Sequence, residues 1–123
     1  MPCLIVTTGQ KMGDFYPLGT RTSVIGRDEG VAIQLVDPHI SRKHVQIRFD
    51  KEASDYRVLD MKSRHGVFIN GVKIKDEAVL KDNDVLDVGG VTLMFTLQDF
   101  ADREGALAHY KKTGERFRQT MSQ

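Results

Sequence analysis

The residues that decide the fold are Val67-Phe68-Ile69-Asn70-Gly71-Val72-Lys73-Ile74. Two short apolar runs, rich in β-branched side chains, flank a central Asn-Gly pair. Asn-Gly readily supplies the two positive-φ residues of a type I′ turn, and this turn matches the twist of the strands that it joins. The stretch therefore predicts a β-hairpin with a two-residue turn.

Further short strands are predicted on both sides of this hairpin. Residues 45–49 and 91–97 alternate apolar and polar side chains, which is the period of a half-buried strand. Short strands are also predicted at residues 4–6, 22–25 and 33–36. The turn-forming groups that separate the strands are Gly9-Gln10, Asp28-Glu29-Gly30, Asp37-Pro38, Asp82-Asn83 and Gly89-Gly90. Many short strands without a helical pattern among them predict an all-β sandwich.

The last 26 residues have a different pattern. Asp99 is a candidate helix N-cap, and basic residues gather later in the segment, as the helix dipole favours. Apolar side chains recur on one helical face at Phe100, Leu107, Tyr110, Phe117 and Met121. We predict a β-sandwich domain at residues 1–97 and a C-terminal helical extension at residues 98–123. The extension either packs on the sandwich, mediates dimerisation or is partly disordered.

Composition excludes several classes of protein. The chain has 123 residues, with 18 basic and 17 acidic side chains and a net charge of +1. This balance argues against a general nucleic-acid or membrane-surface binder, because both functions need a strong positive field. Cys3 is the single cysteine, so an intramolecular disulfide is excluded. We expect no signal peptide and no membrane span, and therefore a cytoplasmic setting.

Three polar segments hold the candidate functional residues. Gly26-Arg27 ends a predicted strand, and its arginine is a permanent cation. Residues 39–44 form a basic loop in which Ser41 offers a hydroxyl group. Residues 60–66 form a second charged loop, which turns at a glycine into the hairpin. Each segment alone is typical of an ordinary protein surface.

Two catalytic interpretations of these segments find little support. Ser41 and His44 lack the Gly-x-Ser-x-Gly turn that presents a nucleophilic serine. His39, His44, His65 and Cys3 follow no metal-ligand spacing. We therefore predict no catalytic residue, no metal site and no cofactor, and we do not expect an enzyme.

Taken together, the segments resemble the forkhead-associated (FHA) domain family. The family pattern runs from Gly-Arg through Ser-x-x-His and a Ser-Thr-Asn-Gly-like loop to Asn-Gly. The chain has the same order in Gly26-Arg27, Ser41-Arg42-Lys43-His44, Ser63-Arg64-His65-Gly66 and Asn70-Gly71. The resemblance implies an FHA-type β-sandwich of two antiparallel sheets that binds phosphothreonine peptides without catalysis.

The resemblance also implies roles for single residues. Arg27 and Ser41 match phosphate-binding positions, and Arg64 stands where the family often has a threonine that touches the phosphate. Asn70 matches a side chain that bonds the main chain of the ligand, whereas His65 replaces an asparagine that commonly helps in this. The implied phosphopeptide-binding set is Arg27, Ser41, Arg42, Ser63, Arg64, His65 and Asn70. The residues expected to shape the loops are Gly26, His44, Gly66 and Gly71.

The resemblance extends to partners. It implies phosphothreonine-containing proteins, either substrates of Ser/Thr kinases or a kinase itself, and neither nucleic acid nor membrane. His39 and Arg42 fall where family members vary and contact residues that flank the phosphothreonine. The alternative is an assembly module of the same fold that binds partners independently of phosphate. In that alternative, the C-terminal helix mediates oligomerisation, with a homodimer as the simplest case.

Overall fold

The computed structural model describes residues 2–98, 104–109 and 111 of the chain, and the last two groups are helical. The strands in this part are β1 (Cys3–Val6), β2 (Phe15–Pro17), β3 (Ser23–Gly26), β4 (Ile33–Gln34), β5 (Val45–Asp50), β6 (Asp55–Asp60), β7 (Val67–Ile69), β8 (Val72–Lys73), β9 (Glu77–Leu80), β10 (Val85–Val88) and β11 (Val91–Thr96). Short strands with turns between them thus make up most of the described chain.

The strands form two sheets. The six-stranded sheet has the order β2-β1-β11-β10-β7-β8, and the five-stranded sheet has the order β4-β3-β5-β6-β9. β3 and β4 run parallel, whereas the other neighbouring strands in the described chain are antiparallel. The predicted all-β sandwich is confirmed, with this one parallel pair as an addition.

The core lies between the sheets and uses alternate residues of each strand. Leu4 and Val6 of β1 are fully buried in it, as are Leu93 of β11 and Val45 of β5. Burying apolar surface contributes about 25 cal/mol per Å² and is the main stabilising term. The packed sheets form a rigid base for the loops at their ends.

A short C-terminal helix covers part of the outer face of the six-stranded sheet. Its Ala106 is fully buried together with Cys3 and Ile5, which point away from the core. Leu107, predicted for the apolar face, is half-buried.

No helix in the described ranges is long and apolar enough to cross a membrane. The other predicted residues of the tail lie outside the described residues: Asp99, Phe100, Tyr110, Phe117 and Met121. The domain boundary near residue 97 and dimerisation through the tail stay predictions.

The two ends of the sandwich carry different loops. Gly89, between β10 and β11, packs against the loop between β4 and β5, since a Cβ there would lie 2.6 Å from the carbonyl oxygen of His39. The β3–β4 and β6–β7 loops meet at this same end. β7 leads to the opposite end, where Asn70 and Gly71 form the turn with φ values of 51° and 83°. β7 and β8 pair as the predicted hairpin, and these angles are typical of a type I′ turn.

Candidate functional site

The end of β3 packs directly against the loop between β4 and β5. The Arg27 N–H donates to the Ser41 carbonyl at 3.0 Å, and the Asp28 N–H donates to the Arg42 carbonyl at 3.2 Å. Gly26 is buried, and a Cβ on it would overlap the carbonyl oxygen of Arg42. Glycine is therefore required here because the two backbones approach so closely.

The Arg27 side chain is anchored at one end and open at the other. Its Nε donates to the Ile40 carbonyl at 3.1 Å, which fixes the direction of the guanidinium. The residue is exposed, and its two terminal nitrogens have no partner among the residues that the structure describes. A guanidinium that is oriented but unpaired can give two parallel hydrogen bonds to an oxyanion.

Ser41 joins the β4–β5 loop to the β6–β7 loop. Its Oγ accepts a hydrogen bond from the Arg64 N–H at 3.2 Å, and its own N–H donates to Nδ1 of His44 at 3.1 Å. A hydroxyl group that accepts in this way still has its own proton to donate. This proton has no acceptor among the residues that the structure describes, and Ser41 is only half-buried.

His44 connects the β4–β5 and β6–β7 loops from their buried side. The side chain is fully buried, and Nε2 lies 2.7 Å from the Gly66 carbonyl oxygen. Because Nδ1 accepts from Ser41, we assign the ring proton to Nε2, which then donates to Gly66. His44 thus sets the spacing between the loop of Ser41 and the loop of Arg64.

The Ser63 side chain stabilises the β6–β7 loop by hydrogen bonds within that loop. Its hydroxyl donates to Oδ1 of Asp60 at 2.8 Å and accepts from the Gly66 N–H at 3.0 Å. Gly66 has a φ of 79°, a conformation that favours glycine. The structure places Ser63 beside the other predicted residues, but its hydroxyl is already engaged within the loop.

Two further arginines at this end are unpaired. Arg42 and Arg64 are both exposed, and neither forms an ion pair with any residue in the described ranges. With Arg27 they bring three guanidinium groups to one end of the sandwich. Unpaired positive charge on neighbouring loops creates a local field that attracts anions.

Two arginines away from this end, Arg48 and Arg57, are paired, whereas the exposed Arg21 has no partner among the residues that the structure describes. On the outer face of the five-stranded sheet, Arg57 donates to Asp55 at 3.0 Å and to Glu77 at 3.3 Å. Arg48 also donates to Glu77 at 3.3 Å. The hydrogen bonds to Asp55 and Glu77 raise the pKa of the Arg57 guanidinium. These charges are neutralised locally, so this face is not an anion site.

A shallow pocket adjoins the loops of Ser41 and Arg64. Two exposed rings stand at its edge, those of His39 and His65, with centroids 5.2 Å apart at an angle of 68°. The pocket has a volume of about 290 Å³. It is lined by His39, His65, Phe68, Asp87, Gly89 and Gly90. A pocket of this size beside an anion site has room for one side chain of a bound peptide.

The structure places Asn70 elsewhere. Its Nδ2 donates to Oδ1 of Asp84, and its Oδ1 accepts from the Val85 N–H, both at 2.9 Å. Asn70 follows Gly66 by four residues along β7, which corresponds to about 13 Å. Asn70 is therefore at the opposite end of the sandwich from Arg27 and Ser41, and its side chain holds the hairpin to the β9–β10 turn.

Two residues near the site were not predicted. Asp60 accepts both the N–H and the hydroxyl of Ser63. The Asp-x-x-Ser spacing is typical of a side chain that caps a turn, so the sequence did carry that signal. Lys73 reaches the β6–β7 loop from β8, because a Cβ on Gly66 would lie 2.8 Å from its Cε. That contact depends on the register of the hairpin and has no local signal.

Comparison with known proteins identifies the family to which this fold belongs. Residues 23–89, just over half of the chain, match the FHA domain, and the chain belongs to the FHA domain family. It is similar to the glycogen accumulation regulator GarA of Mycolicibacterium smegmatis, with 30% identity over 105 residues, covering 85% of this chain and 65% of that protein. It is also 30% identical over 92 residues to the oxoglutarate dehydrogenase inhibitor of Corynebacterium jeikeium, covering 75% and 62% of the two chains. The chain thus spans slightly less than two thirds of the length of these relatives.

Solved structures confirm the family and the fold. The FHA domain of the CT664 protein from Chlamydia trachomatis has a TM-score of 0.73 and 27% identity, covering 81% of this chain and 98% of that one. An FHA domain from a structural and functional analysis of phosphothreonine-dependent FHA domain interactions has a TM-score of 0.70 and 25% identity. That similarity covers 80% of this chain and 98% of the other.

Proposed function

We propose that this protein is a non-catalytic module that binds phosphothreonine peptides in Ser/Thr-kinase-linked signalling. The observation that carries the proposal is the open guanidinium of Arg27 beside the Ser41 hydroxyl, at an end rich in unpaired arginine. The similarity to an FHA domain studied for phosphothreonine-dependent interactions supports it. The proposed partners are phosphothreonine-containing proteins, either kinase substrates or a kinase, in the cytoplasm.

The phosphate group of a phosphothreonine matches the hydrogen-bond donors of Arg27 and Ser41. A phosphothreonine carries about −1.5 to −2 charges at neutral pH and has three strong acceptor oxygens. Arg27 and Ser41 would donate to these oxygens, with the Arg64 guanidinium as a further charged donor. Hydrogen bonds that involve charged groups are about twice as strong as neutral ones. Since His44 holds both loops before the ligand arrives, little ordering cost opposes binding.

The other predicted residues take different places in this proposal. Arg42 and His65 would contact residues on either side of the phosphothreonine, together with the pocket beside His39. Ser63 would hold the loop through Asp60 and Gly66 instead of contacting the ligand.

An oriented phosphothreonine-peptide library tests the function. We expect the wild type to enrich phosphorylated sequences and to bind the best of them far more tightly than its unphosphorylated form. Ser41→Ala should weaken that binding about ten-fold or more, because a hydrogen bond to a charged group contributes about 1.5–3 kcal/mol. Thr20→Ala is the control, as Thr20 is exposed in the β2–β3 loop at the opposite end. Equal binding with and without phosphate would favour the phosphate-independent assembly module instead.

Replacement of Asn70 by Ala should affect folding but not ligand binding. We expect Asn70→Ala to lower the free energy of unfolding by about 1–2 kcal/mol in urea, since it leaves the Val85 N–H without its partner. Asn83→Ala is the matched control, because Asn83 also has a positive φ, of 70°. The phosphopeptide affinity of both variants should equal that of the wild type. A selective loss of affinity in Asn70→Ala would instead make Asn70 a ligand-binding residue.

A further inference from the structure

Lys73 projects from β8 onto the loop between β6 and β7. A Cβ on Gly66 would lie 2.8 Å from Cε of Lys73 and 3.5 Å from its Nζ. The lysine stem therefore occupies the space that the missing side chain of Gly66 leaves open. As a result, the ammonium group lies beside the loop that carries Arg64 and His65.

The ammonium group of Lys73 is unpaired in the described part of the chain. The residue is exposed, and its ammonium group has no ion pair or hydrogen bond with any residue that the structure describes. Its methylene groups pack on the loop while the charged end remains in solvent, as is typical of long basic side chains. Lys73 thus adds a positioned and unpaired cation to the end of the sandwich that carries Arg27.

Lys73 also borders the pocket beside His65. It is directly opposite Phe68 in the β7–β8 pair, and Phe68 is directly opposite Asp87 in the β7–β10 pair. Residues that face each other across paired strands share one face of the sheet, so the three side chains form a row. Phe68 and Asp87 line the pocket. Lys73 is therefore at the β8 end of this row, and Asp87, which accepts from the Gly90 N–H at 2.9 Å, is on the other side of Phe68.

We propose that Lys73 is a specificity-determining residue that contacts an acidic side chain flanking the phosphothreonine of the ligand. The proposal rests on the phosphothreonine-binding function proposed above. An extended peptide advances about 3.3 Å per residue, so a side chain a few residues from the phosphothreonine can reach the row of Lys73 and Phe68. A carboxylate there meets the ammonium group, whereas a basic side chain is repelled.

The test uses three variants and two series of peptides. One series moves an aspartate through the positions around the phosphothreonine of the best library peptide, and the other places asparagine at the same positions. Lys73→Met removes the charge but keeps a chain long enough to cover Gly66, and Lys73→Ala also removes that cover. Lys51→Met removes the same charge from the exposed β5–β6 turn at the opposite end and is the control. Fluorescence anisotropy gives the dissociation constants.

We expect the wild type and Lys51→Met to prefer aspartate over asparagine by about three- to five-fold at one or two neighbouring positions. Lys73→Met should lose this preference and keep its discrimination between phosphorylated and unphosphorylated peptides. The preference of the wild type should shrink at 0.5 M salt, because exposed charges are screened. An unchanged preference in Lys73→Met, or none in the wild type, overturns the role of Lys73 alone. Loss of phosphate dependence in the wild type overturns the proposed function as well.

Discussion

Replacing Arg27 by Ala is expected to lower the affinity for a phosphothreonine peptide by about 100-fold or more. The guanidinium would form two charge-assisted hydrogen bonds to the phosphate, each contributing about 1.5–3 kcal/mol, and 1.4 kcal/mol corresponds to a factor of ten. Affinity for the unphosphorylated peptide should not change. Isothermal titration of both peptides measures the two effects, and the loss should appear only for the phosphorylated one.

Two further variants show whether the guanidinium itself is responsible. Arg27→Lys keeps the charge but not the planar fork, so its affinity should fall between those of the wild type and Arg27→Ala. Arg21→Ala removes an exposed arginine from the β2–β3 loop at the opposite end and should bind as the wild type does. Because Nε of Arg27 also bonds the Ile40 carbonyl, urea denaturation is needed to verify that each variant is folded. Similar affinities in Arg27→Ala and Arg21→Ala would remove Arg27 from the site.

Replacing His44 by Ala is expected to lower the free energy of unfolding by about 2–4 kcal/mol. The change creates a cavity at a fully buried position. It also leaves the Ser41 N–H and the Gly66 carbonyl without their partners. Phosphopeptide affinity should fall as well, even at temperatures where the variant is folded, since the weak bond from the Arg64 N–H to the Ser41 hydroxyl must then hold the two loops together without His44. Urea denaturation and titration at low temperature measure the two losses.

His44→Phe separates the two causes of this loss. Phenylalanine keeps a flat ring of similar shape and removes both hydrogen bonds, so the cavity contribution is largely restored while the polar contribution is not. We expect a stability between those of His44→Ala and the wild type, and an affinity as low as that of His44→Ala. A His44→Phe variant with the affinity of the wild type would show that the His44 bonds do not position the loops.

The fold was predictable where local chemistry and strand period agree. The Asn70-Gly71 turn requires positive φ at both residues, and the alternation at residues 45–49 matches β5. Strand β6 (Asp55–Asp60) was not predicted, although Tyr56 and Val58 alternate within it. Its charged residues resemble a loop in sequence, and their pairing with residues of β5 and β9 becomes visible only when the sheet is assembled.

The site was predictable only as a set of motifs. The order of Gly-Arg, Ser-x-x-His and the later loop indicated Arg27, Ser41 and Arg64, which the structure brings to one end. Asn70 belongs to the last motif of the same pattern, but β7 runs away from Arg27 and Ser41, so Asn70 lies at the opposite end of the sandwich. Lys73 is absent from the motifs because its approach to Gly66 depends on hairpin register. Motif spacing identifies residue types, whereas strand direction determines which of them meet.

The most direct test of phosphothreonine recognition by these loops is an NMR titration that follows backbone amide shifts. Addition of a phosphothreonine peptide from the library screen should shift the amides of Arg27, Ser41, Arg64 and His65 most. The amides of Gly71 and Arg21, at the opposite end, should remain in place, and the unphosphorylated peptide should cause no comparable change. Equal shifts with both peptides, or the largest shifts around Gly71, would contradict the account.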